Sequence, residues 1–338
     1  MSLFPTEAAF DDALASLPRA DLACRAAAAA RQGQLTKPAG SLGRLEEIAI
    51  FLAGWQRRAR PHIDRGRAAV FAGNHGVTRH GVSAFPPIVT AQMVANFAVG
   101  GAAINALAGA AGLDLHVVPI DLDRPTEDFT VAAAMSQADC LAALNCGADM
   151  VDPGLDLLLL GEMGIGNSTA AAALCQRSFG GSAREWVGAG TGVDAHGLAM
   201  KREVVELAMA YHADAPMTPF ETLRRVGGRE IVAIAGAMLA ARHRHVPVVL
   251  DGFICAAALA PLAVAMPTIT DHIIAGHRSA EAGHGRLLDR LGLRPLLDLD
   301  MRLGEGSGGA VAVAVIRTAL AAHDQMATFA DAGVSAGG

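Results

Sequence analysis

Short apolar runs alternate with longer alanine-rich segments from residue 68 to the end of the chain. The runs are Ala68 to Ala72, Leu113 to Ile120, Leu155 to Leu160, Val246 to Leu250, His272 to Ala275 and Pro295 to Leu299, with a shorter one near Trp186 to Val187. A run that is apolar on both faces is typical of a strand buried in a parallel sheet, and the alternation with helical segments is typical of βα units. The pattern therefore predicts a continuous α/β domain with a mainly parallel sheet.

The residues before Ala68 carry no strand signal. An alanine-rich stretch runs to Ala30, the loop QLTKPAGS follows, and Leu42 to Trp55 has apolar residues at helical spacing. The last predicted element is an Ala/Val helix from Gly309 to His323, which we expect to return to the N-terminal helices. These segments predict a smaller helical part beside the α/β domain.

Charge and hydropathy exclude two classes of protein. The net charge is −6 with no basic cluster, which argues against nucleic acid as a partner. The mean hydropathy is +0.35, but alanine and glycine supply much of it. The longest apolar stretch, Val246 to Met266, is interrupted by Asp251 and by Pro247 and Pro261. It therefore predicts a strand, a turn and a buried helix rather than a membrane span.

The N-terminal segment and the cysteines predict a cytoplasmic protein. The first residues, MSLFPTEAAFDD, lack the basic region of a signal peptide. The five cysteines are scattered and odd in number, which favours reduced thiols.

The polar residues of this chain collect where the apolar runs end. Five runs are followed by AGNHG, GEMGIGNST, DGF, AGHRSAE and LGEGSGG. Because open parallel sheets bind ligands beyond the carboxyl ends of their strands, these segments are expected to meet in one cleft. Glu162 and Glu305 stand among glycines there, and an acid at such a place in an enzyme often transfers a proton or orients a polar group.

Two glycine-rich turns predict an anion site. GIGNST (Gly164 to Thr169) opens a helix, and glycines at a helix start let backbone N–H groups approach an anion. GAGTGVD (Gly188 to Asp194) precedes a helix that contains Lys201, one of only two lysines. Ordinary helix capping and a tight connection are the alternatives for the two turns. Together they suggest a phosphate held from two sides.

Other site motifs are weak or missing. GEGSGG (Gly304 to Gly309) fits G-x-G-x-x-G, but the chain ends after a single further helix and so lacks the βαβ unit of a dinucleotide site. The sequence contains no P-loop and no G-x-S-x-G elbow. The spacing of His272, His277 and His284 does not match a zinc helix motif.

The segment Asn74 to Phe97 predicts a long loop that enters a helix at about Pro87. Phe85, Pro86 and Gln92 would then form an apolar and aromatic wall with one amide, which suits a flat heterocycle. The alternative is that Phe85 is a core residue.

Together these segments resemble the nicotinate-nucleotide:dimethylbenzimidazole phosphoribosyltransferase family of cobalamin lower-ligand assembly. The resemblance covers nearly the whole chain in the expected order. The matching strings are TKPAGSLGRLE (36–46), AGNHGVTRHGVSAFP with VTAQM (72–93), GEMGIGNSTAAAAL (161–174), GAGTGVD with Lys201, VPVVLDGFI (246–254), HRSAEAGH (277–284) and LLDLDMRLGEGSGGA (296–310).

The resemblance implies a reaction, a fold and an assembly. The reaction moves phosphoribose from nicotinate mononucleotide to a nitrogen of 5,6-dimethylbenzimidazole and yields α-ribazole phosphate and nicotinate. The fold is a doubly wound α/β domain over residues 66–309, with a small helical domain from 1–65 and 310–338. A homodimer is implied, with neither a metal nor an organic cofactor.

The resemblance also assigns residues to roles. Glu305 matches the family's catalytic glutamate. The nucleotide site maps onto Glu162, Gly164, Ile165, Gly166, Asn167, Ser168, Gly190, Gly192, Lys201 and Ser279. The benzimidazole pocket maps onto Ser83, Phe85, Gln92, Met163 and Leu303.

Three alternatives stay open on the sequence alone. An NAD-dependent oxidoreductase would rest on the glycine turns only, and the incomplete fingerprint argues against it. A non-catalytic nucleotide-binding subunit would keep the fold, although Glu162, Glu305 and Lys201 are all present. A family member acting on another acceptor, such as adenine or a phenol, would differ only in the shape of its pocket.

Overall fold

The structure is a computed structural model that describes residues 2–190 and 192–335. Five strands form one parallel sheet in the order β2-β1-β3-β4-β5. The strands are β1 (Gly66–Ala72), β2 (Asp114–Pro119), β3 (Leu157–Met163), β4 (Val248–Leu250) and β5 (Ile273–Ala275). Each overlaps an apolar run from which a strand was predicted, although β1 begins two residues earlier and β3 ends three residues later than its run, so the parallel α/β prediction is confirmed.

Sixteen α-helices connect and flank these strands within the described residues. They are α1 (Glu7–Ala15), α2 (Leu22–Gln34), α3 (Arg44–Gln56), α4 (Ile88–Ala98), α5 (Ala103–Ala110), α6 (Gln137–Asp149), α7 (Asn167–Phe179), α8 (Ala183–Trp186), α9 (Ala195–Tyr211), α10 (Pro219–Val226), α11 (Arg229–His243), α12 (Phe253–Ala257), α13 (Ala260–Ala265), α14 (His284–Leu291), α15 (Ser307–Gln325) and α16 (Phe329–Ala332). Short 3-10 helices occupy Gly76–His80 and Pro267–His272. The stretch Val246 to Met266 was predicted as a strand, a turn and a buried helix, and it contains a strand, a turn and two short buried helices, α12 and α13.

Both faces of the sheet are covered, which explains why its strands are continuous apolar runs. Along β3, Leu158 and Leu160 pack in one hydrophobic cluster, whereas Leu157 and Leu159 pack in a second cluster on the opposite face. The first cluster includes α6, α7 and α11, and the second includes α3, α5 and α15. Successive side chains of a strand point to opposite faces, so each strand contributes to both cores.

The strand order makes the sheet doubly wound and fixes where a ligand cleft forms. From β1 the chain moves outward to β2, then returns to β3 and continues in the other direction to β4 and β5. The connections therefore diverge between β1 and β3. Ligands in such folds bind at this switch point, beyond the carboxyl ends of the two strands. Glu162 lies in β3 at that end.

Two of the predicted strands are wrong. Pro295 to Leu299 forms a single parallel bridge, His277 to Leu297, instead of a sixth strand. Pro295 has no N–H to donate, and only the amides of Leu296 and Leu297 bond to the residues that end β5 and follow it. The short run at Trp186 to Val187 is also not a strand: Trp186 ends α8, and its indole N–H donates to the Gly180 carbonyl at 2.9 Å.

The N-terminal helices pack against α15, as the sequence predicted. The Gln32 side chain on α2 lies 2.8 Å from a ring nitrogen of His323 on α15, both groups being buried. Helix α1 instead contacts α10 through Phe10 and Phe220, whose ring centroids are 6.1 Å apart. The division into a helical domain from both ends and a large domain over 66–309 stays a prediction. Met1, Thr191 and residues 336–338, which these domains include, lie outside the described residues.

One stretch, Ile88–Ala110, is apolar and long enough to cross a membrane by length and composition. It is not a continuous helix. Helix α4 ends at Ala98 and α5 begins at Ala103, with Gly100 and Gly101 between them. Only 22% of its most apolar window is buried, so the pair of helices presents an apolar surface.

Candidate active site

A cavity of about 280 Å³ opens at the carboxyl ends of β1, β3, β4 and β5. It lies at the switch point that the strand order defines. Its wall consists of Phe85, Glu162, Met163, Gly164, Ile165, Asn167, Ser168, Gly190, Gly252, Phe253, Ile254, His277, Ser279, Glu281, Arg302, Leu303 and Gly304. Segments that follow four separate strands therefore meet in one place, which is the convergence that the glycine-rich segments predicted.

The turn that leads from β3 into α7 presents the start of a helix to this cavity. Gly166 adopts φ +93° as the residue before the helix, and no side chain caps α7. At Gly164, a Cβ atom would lie 2.8 Å from both the Glu230 carboxylate and the Gly73 carbonyl oxygen. The turn thus requires glycine, and its close packing leaves the positive end of the α7 dipole facing the cavity.

Lys201 joins the two glycine turns. Its Nζ donates to the Ser168 hydroxyl and to the Gly188 carbonyl, each at 2.9 Å. A side chain at Gly190 would collide with both Ser168 and Lys201. The lysine is fully buried, and loss of solvation lowers its pKa to about 8. An anion in the cavity would favour the charged form and raise that pKa again.

Carboxylates also collect at this edge of the sheet. Glu162 is buried, and its Oε2 accepts a hydrogen bond from the Asn167 side-chain amide. Burial, followed by the negative charge of Asp251 and then of Glu230 and Glu305, raises the pKa of Glu162 to about 8, although the Asn167 bond opposes the shift. Glu162 is therefore mostly protonated at neutral pH and can donate a hydrogen bond.

The pKa of Glu162 predicts a pH dependence of stability. The unfolded side chain titrates near its ordinary pKa of 4.5, whereas the folded one titrates near 8. Between these values the native state holds a proton that the unfolded chain has released, so the free energy of unfolding falls as pH rises. Glu162→Gln cannot titrate. We therefore expect the free energy of unfolding of the variant minus that of the wild type to be about 2 to 4 kcal/mol larger at pH 9 than at pH 4.

Urea unfolding of both proteins across this pH range measures the difference. Glu47→Gln, which replaces an exposed glutamate of α3, is the matched control and should follow the wild-type curve. Parallel curves for Glu162→Gln and the wild type would contradict the raised pKa.

The backbone of Glu305 is in a conformation that few residues other than glycine adopt. Its φ is +64°, and it lies between Gly304 at +86° and Gly306 at +89°. Its amide donates to the Glu162 carbonyl at 3.1 Å, which anchors the turn to the end of β3. A non-glycine residue in the left-handed region is costly, and such residues cluster at functional sites.

The Glu305 carboxyl is buried and incompletely hydrogen-bonded. Burial raises its pKa, a backbone hydrogen bond from Ile104 lowers it, and the charge of Asp251 raises it. Within residues 2–190 and 192–335, its Oε2 has no hydrogen-bond partner. Glu305 is not itself on the cavity wall, whereas Gly304 and Glu162, its neighbours in chain and space, are. An unpaired carboxyl oxygen beside a cavity can accept a proton from a bound molecule.

The structure brings most of the residues predicted for the site together. On the cavity wall are Glu162, Met163, Gly164, Ile165, Asn167, Ser168, Gly190, Ser279, Phe85 and Leu303. Lys201 reaches this wall through Ser168, and Gly166 lies within the turn. Off the wall are Glu305, Gly192, Gln92 and Ser83, the last of which accepts a hydrogen bond from the Phe85 amide at 3.2 Å.

Several wall residues received no role from the sequence. His277, Glu281, Phe253 and Arg302 line the cavity, and Asp251 lies beneath it at the end of β4. A signal was available, because DGF and AGHRSAE are two of the segments that follow apolar runs. His75, whose Nε2 lies 2.5 Å from Glu230 Oε1 in a fully buried pair below the Gly164 turn, likewise lies in such a segment, AGNHG, whereas Glu230 had no signal of this kind.

Comparisons with known proteins agree on one family. A family model described as "Phosphoribosyltransferase" matches residues 17–334. The chain is 69% identical to nicotinate-nucleotide–dimethylbenzimidazole phosphoribosyltransferase of Novosphingobium aromaticivorans over the full length of both chains. It is 57% identical to the protein of that name from Ruegeria pomeroyi, over 98% of both chains. A solved structure of the Thermus thermophilus protein superposes with a TM-score of 0.85 at 41% identity, covering 94% of this chain and all of that one.

Proposed function

The chain belongs to the nicotinate-nucleotide–dimethylbenzimidazole phosphoribosyltransferase family, and from this membership we infer its reaction. The protein transfers phosphoribose from nicotinate mononucleotide to 5,6-dimethylbenzimidazole, a step of cobalamin biosynthesis. The products are α-ribazole phosphate and nicotinate. The cavity must therefore hold a sugar phosphate and an aromatic acceptor side by side.

The phosphate of nicotinate mononucleotide is proposed to bind between the two glycine turns. The N-terminus of α7 directs its dipole toward the cavity, and Ser168 and Gly190 line the wall there. Lys201 supplies a cation from beneath the same turns. Helix starts and lysine both favour phosphate.

Glu305 is proposed as the general base. The attacking azole nitrogen forms a bond to the anomeric carbon and must lose its N–H proton, which Glu305 takes. The raised pKa of this buried carboxyl makes it a better base than an exposed glutamate, and among the described residues its Oε2 has no other group to accept from. A general base of this kind contributes about two to four orders of magnitude in rate.

The leaving group needs less assistance. Nicotinate departs from a pyridinium nitrogen, and the electron pair of the breaking C–N bond neutralises that nitrogen. No general acid is required at that atom. What remains for the protein is to hold the anomeric carbon in line with the azole, and a fixed phosphate serves that purpose.

Glu162 is proposed to orient the substrate as a neutral acid. Its pKa of about 8 keeps a proton on the carboxyl at neutral pH, and its side chain lies on the cavity wall. It can therefore donate to a ribose oxygen while Asn167 fixes its position. The aromatic acceptor is proposed to pack against the apolar side of the same wall, which is formed by Phe85, Met163 and Leu303, with Ser83 and Gln92 nearby in sequence.

The observation that carries this mechanism is the convergence of Glu162 and the two glycine turns on one cavity, with Glu305 next to Gly304 directly behind its wall. The test is to incubate the protein with nicotinate mononucleotide and a panel of benzimidazoles, purines and phenols. We expect α-ribazole phosphate, identified by mass and by the α configuration at the anomeric carbon, as the main product. Release of nicotinate without a nucleotide product, or faster transfer to adenine, would contradict the acceptor assignment.

A homodimer is also proposed, on the basis of the apolar helices α4 and α5. Ile88 and Val99 are 60% and 82% exposed, and β2 beside them is an edge strand. Exposed apolar surface of this extent is typical of an interface.

We also propose a cytoplasmic location, since all five cysteines are free thiols.

Charge introduced at this surface should separate the subunits. The wild type is expected to have twice the chain mass of 34.6 kDa in multi-angle light scattering. Val99→Arg should shift it to the mass of one chain, because burying an unpaired charge in an interface costs several kcal/mol. Met217→Arg, at a 65% exposed position before α10, is the matched control and should leave the mass unchanged. A wild type with the mass of one chain would contradict the dimer.

A further inference from the structure

We propose that Asp251 is a positioning residue that holds Glu305 in its working conformation. The inference rests on the proposed role of Glu305 as the base. It concerns a residue at the end of β4 that never needs to touch a substrate. Asp251 reaches across to the start of α15 and accepts hydrogen bonds from the backbone that directly follows Glu305.

The geometry is that of a helix cap supplied from a distant part of the chain. Asp251 Oδ2 accepts from the Gly306 amide at 3.1 Å, and Oδ1 accepts from the Gly309 amide at 2.9 Å. No residue local to α15 caps it with a side chain. The amides at a helix start lack partners within the helix, so an aspartate that accepts from them fixes where the helix begins. Gly306 directly follows Glu305, so that start also fixes the Glu305 backbone.

His277 holds Asp251 in turn. Its Nε2 lies 3.3 Å from Asp251 Oδ1, and both side chains are at least 98% buried. The ring packs on Gly308, where an added Cβ atom would collide with it. His277 therefore contacts the carboxylate and the first turn of α15 at once. Such packing restricts the rotamers of both side chains.

The turn requires external support because its backbone is unfavourable. Three successive residues, Gly304 to Gly306, have positive φ, and the middle one is not glycine. Conformations of this kind persist only when the surroundings determine them. The hydrogen bond from the Glu305 amide to the Glu162 carbonyl holds one side of the turn. The hydrogen bond from the Gly306 amide to Asp251 holds the other.

Asp251 also places a negative charge close to the base. Its charge raises the pKa of both Glu305 and Glu162. The titratable and charged groups around Glu305 are Glu162 on β3, Asp251 after β4, His277 after β5, Arg302 in the loop before the turn and Glu230 at the start of α11, which pairs with His75. Removing the Asp251 charge should therefore make Glu305 ionise at lower pH.

The test compares Asp251→Asn with Asp251→Glu and with a matched control. Asparagine keeps the size but loses the charge and one of the two acceptors. We expect kcat to fall roughly 10- to 100-fold with the KM for nicotinate mononucleotide within about threefold of the wild-type value. The acid limb of the kcat profile should move down by roughly 0.5 to 1 pH unit. Glutamate keeps the charge but displaces the turn, so kcat should fall without the downward shift of the limb.

Asp156→Asn is the matched control. Asp156 is an equally buried carboxylate that accepts from two backbone amides, Asp64 at 2.9 Å and Arg65 at 2.8 Å, but at the opposite end of the sheet. Its loss should lower the melting temperature and leave both kcat and the acid limb unchanged. A purely structural role for Asp251 predicts the same behaviour for the two variants.

Combining the variants separates this inference from the base assignment. If Asp251 acts through Glu305, Asp251→Asn should not reduce the residual rate of Glu305→Gln further. If Glu305→Gln is inactive but Asp251→Asn keeps the wild-type kcat and acid limb, the positioning role is overturned and the base assignment is not. A Glu305→Gln with near-normal turnover would overturn the base instead. If Asp251→Asn does not fold, Asp251→Glu decides, and wild-type kcat in that variant overturns the proposal.

Discussion

Replacing Glu305 with glutamine is expected to lower kcat by about two to four orders of magnitude while the protein still folds and binds nicotinate mononucleotide. Glutamine has nearly the size of glutamate and can accept the Ile104 backbone hydrogen bond, but its amide cannot take a proton from the azole. Because the base acts in the transition state and not in binding the nucleotide, KM should change little. Steady-state kinetics with dimethylbenzimidazole as acceptor measure both constants.

Two controls make the result specific. Thermal unfolding of Glu305→Gln should match the wild type within a few degrees, which separates lost chemistry from lost folding. Glu47→Gln, at an exposed position on α3, should keep kcat. Turnover by Glu305→Gln within tenfold of the wild type would remove Glu305 from the role of base. Proton transfer would then have to pass through Glu162 or a water molecule.

The sheet was predictable because its strands are buried on both faces. Such strands are uninterrupted apolar runs, and Leu157 to Leu160 is the clearest example. The same criterion failed at Pro295 to Leu299, where apolar residues lie beside β5 but make only one bridge. Hydropathy does not record whether the amides of a segment have partners, and this segment is not buried either, since Leu299 is 56% exposed.

The candidate site was predictable where its residues share one segment. Glu162 and the Gly164 turn belong to a single βα connection, so their proximity follows from the chain itself. Asp251 and Glu305 are 54 positions apart. An aspartate and a glycine after a short strand resemble an ordinary turn. Their connection depends on where α15 begins relative to β4, which is a tertiary contact that local patterns do not encode.

The carboxylates near the cavity are not equivalent, and their differences follow from burial and partners. Glu162 is surrounded by other acids and has a pKa of about 8, so it holds its proton at neutral pH. Asp251 accepts hydrogen bonds from two backbone amides, faces His277 and raises the pKa of both glutamates by its charge. Groups of the same chemistry can thus serve as donor, base and support at one edge of the sheet.

Lys201→Met is expected to raise the KM for nicotinate mononucleotide about 10- to 100-fold and to reduce kcat much less. The lysine is proposed to attract the phosphate from beneath the two glycine turns. The phosphate is present in substrate and transition state alike, so loss of the lysine removes uniform binding. Methionine has a similar volume, and removal of a fully buried cation avoids a desolvation cost. We therefore expect the melting temperature of the variant to equal or exceed that of the wild type. Weak binding together with retained stability would mark Lys201 as a binding group.

The pH dependence of KM gives a second, independent measurement. The pKa of Lys201 in the unliganded protein is about 8, so the cation is progressively lost above that value and binding the anion must restore it. The wild-type KM should rise with pH above 8, and the KM of Lys201→Met should not. Arg67→Met is the matched control at the opposite end of the sheet, since Arg67, like Lys201, donates to a carbonyl oxygen, that of Met150 at 2.9 Å, and it pairs in addition with Asp152 at 2.7 Å. An unchanged KM in Lys201→Met would mean that the α7 N-terminus binds the phosphate alone.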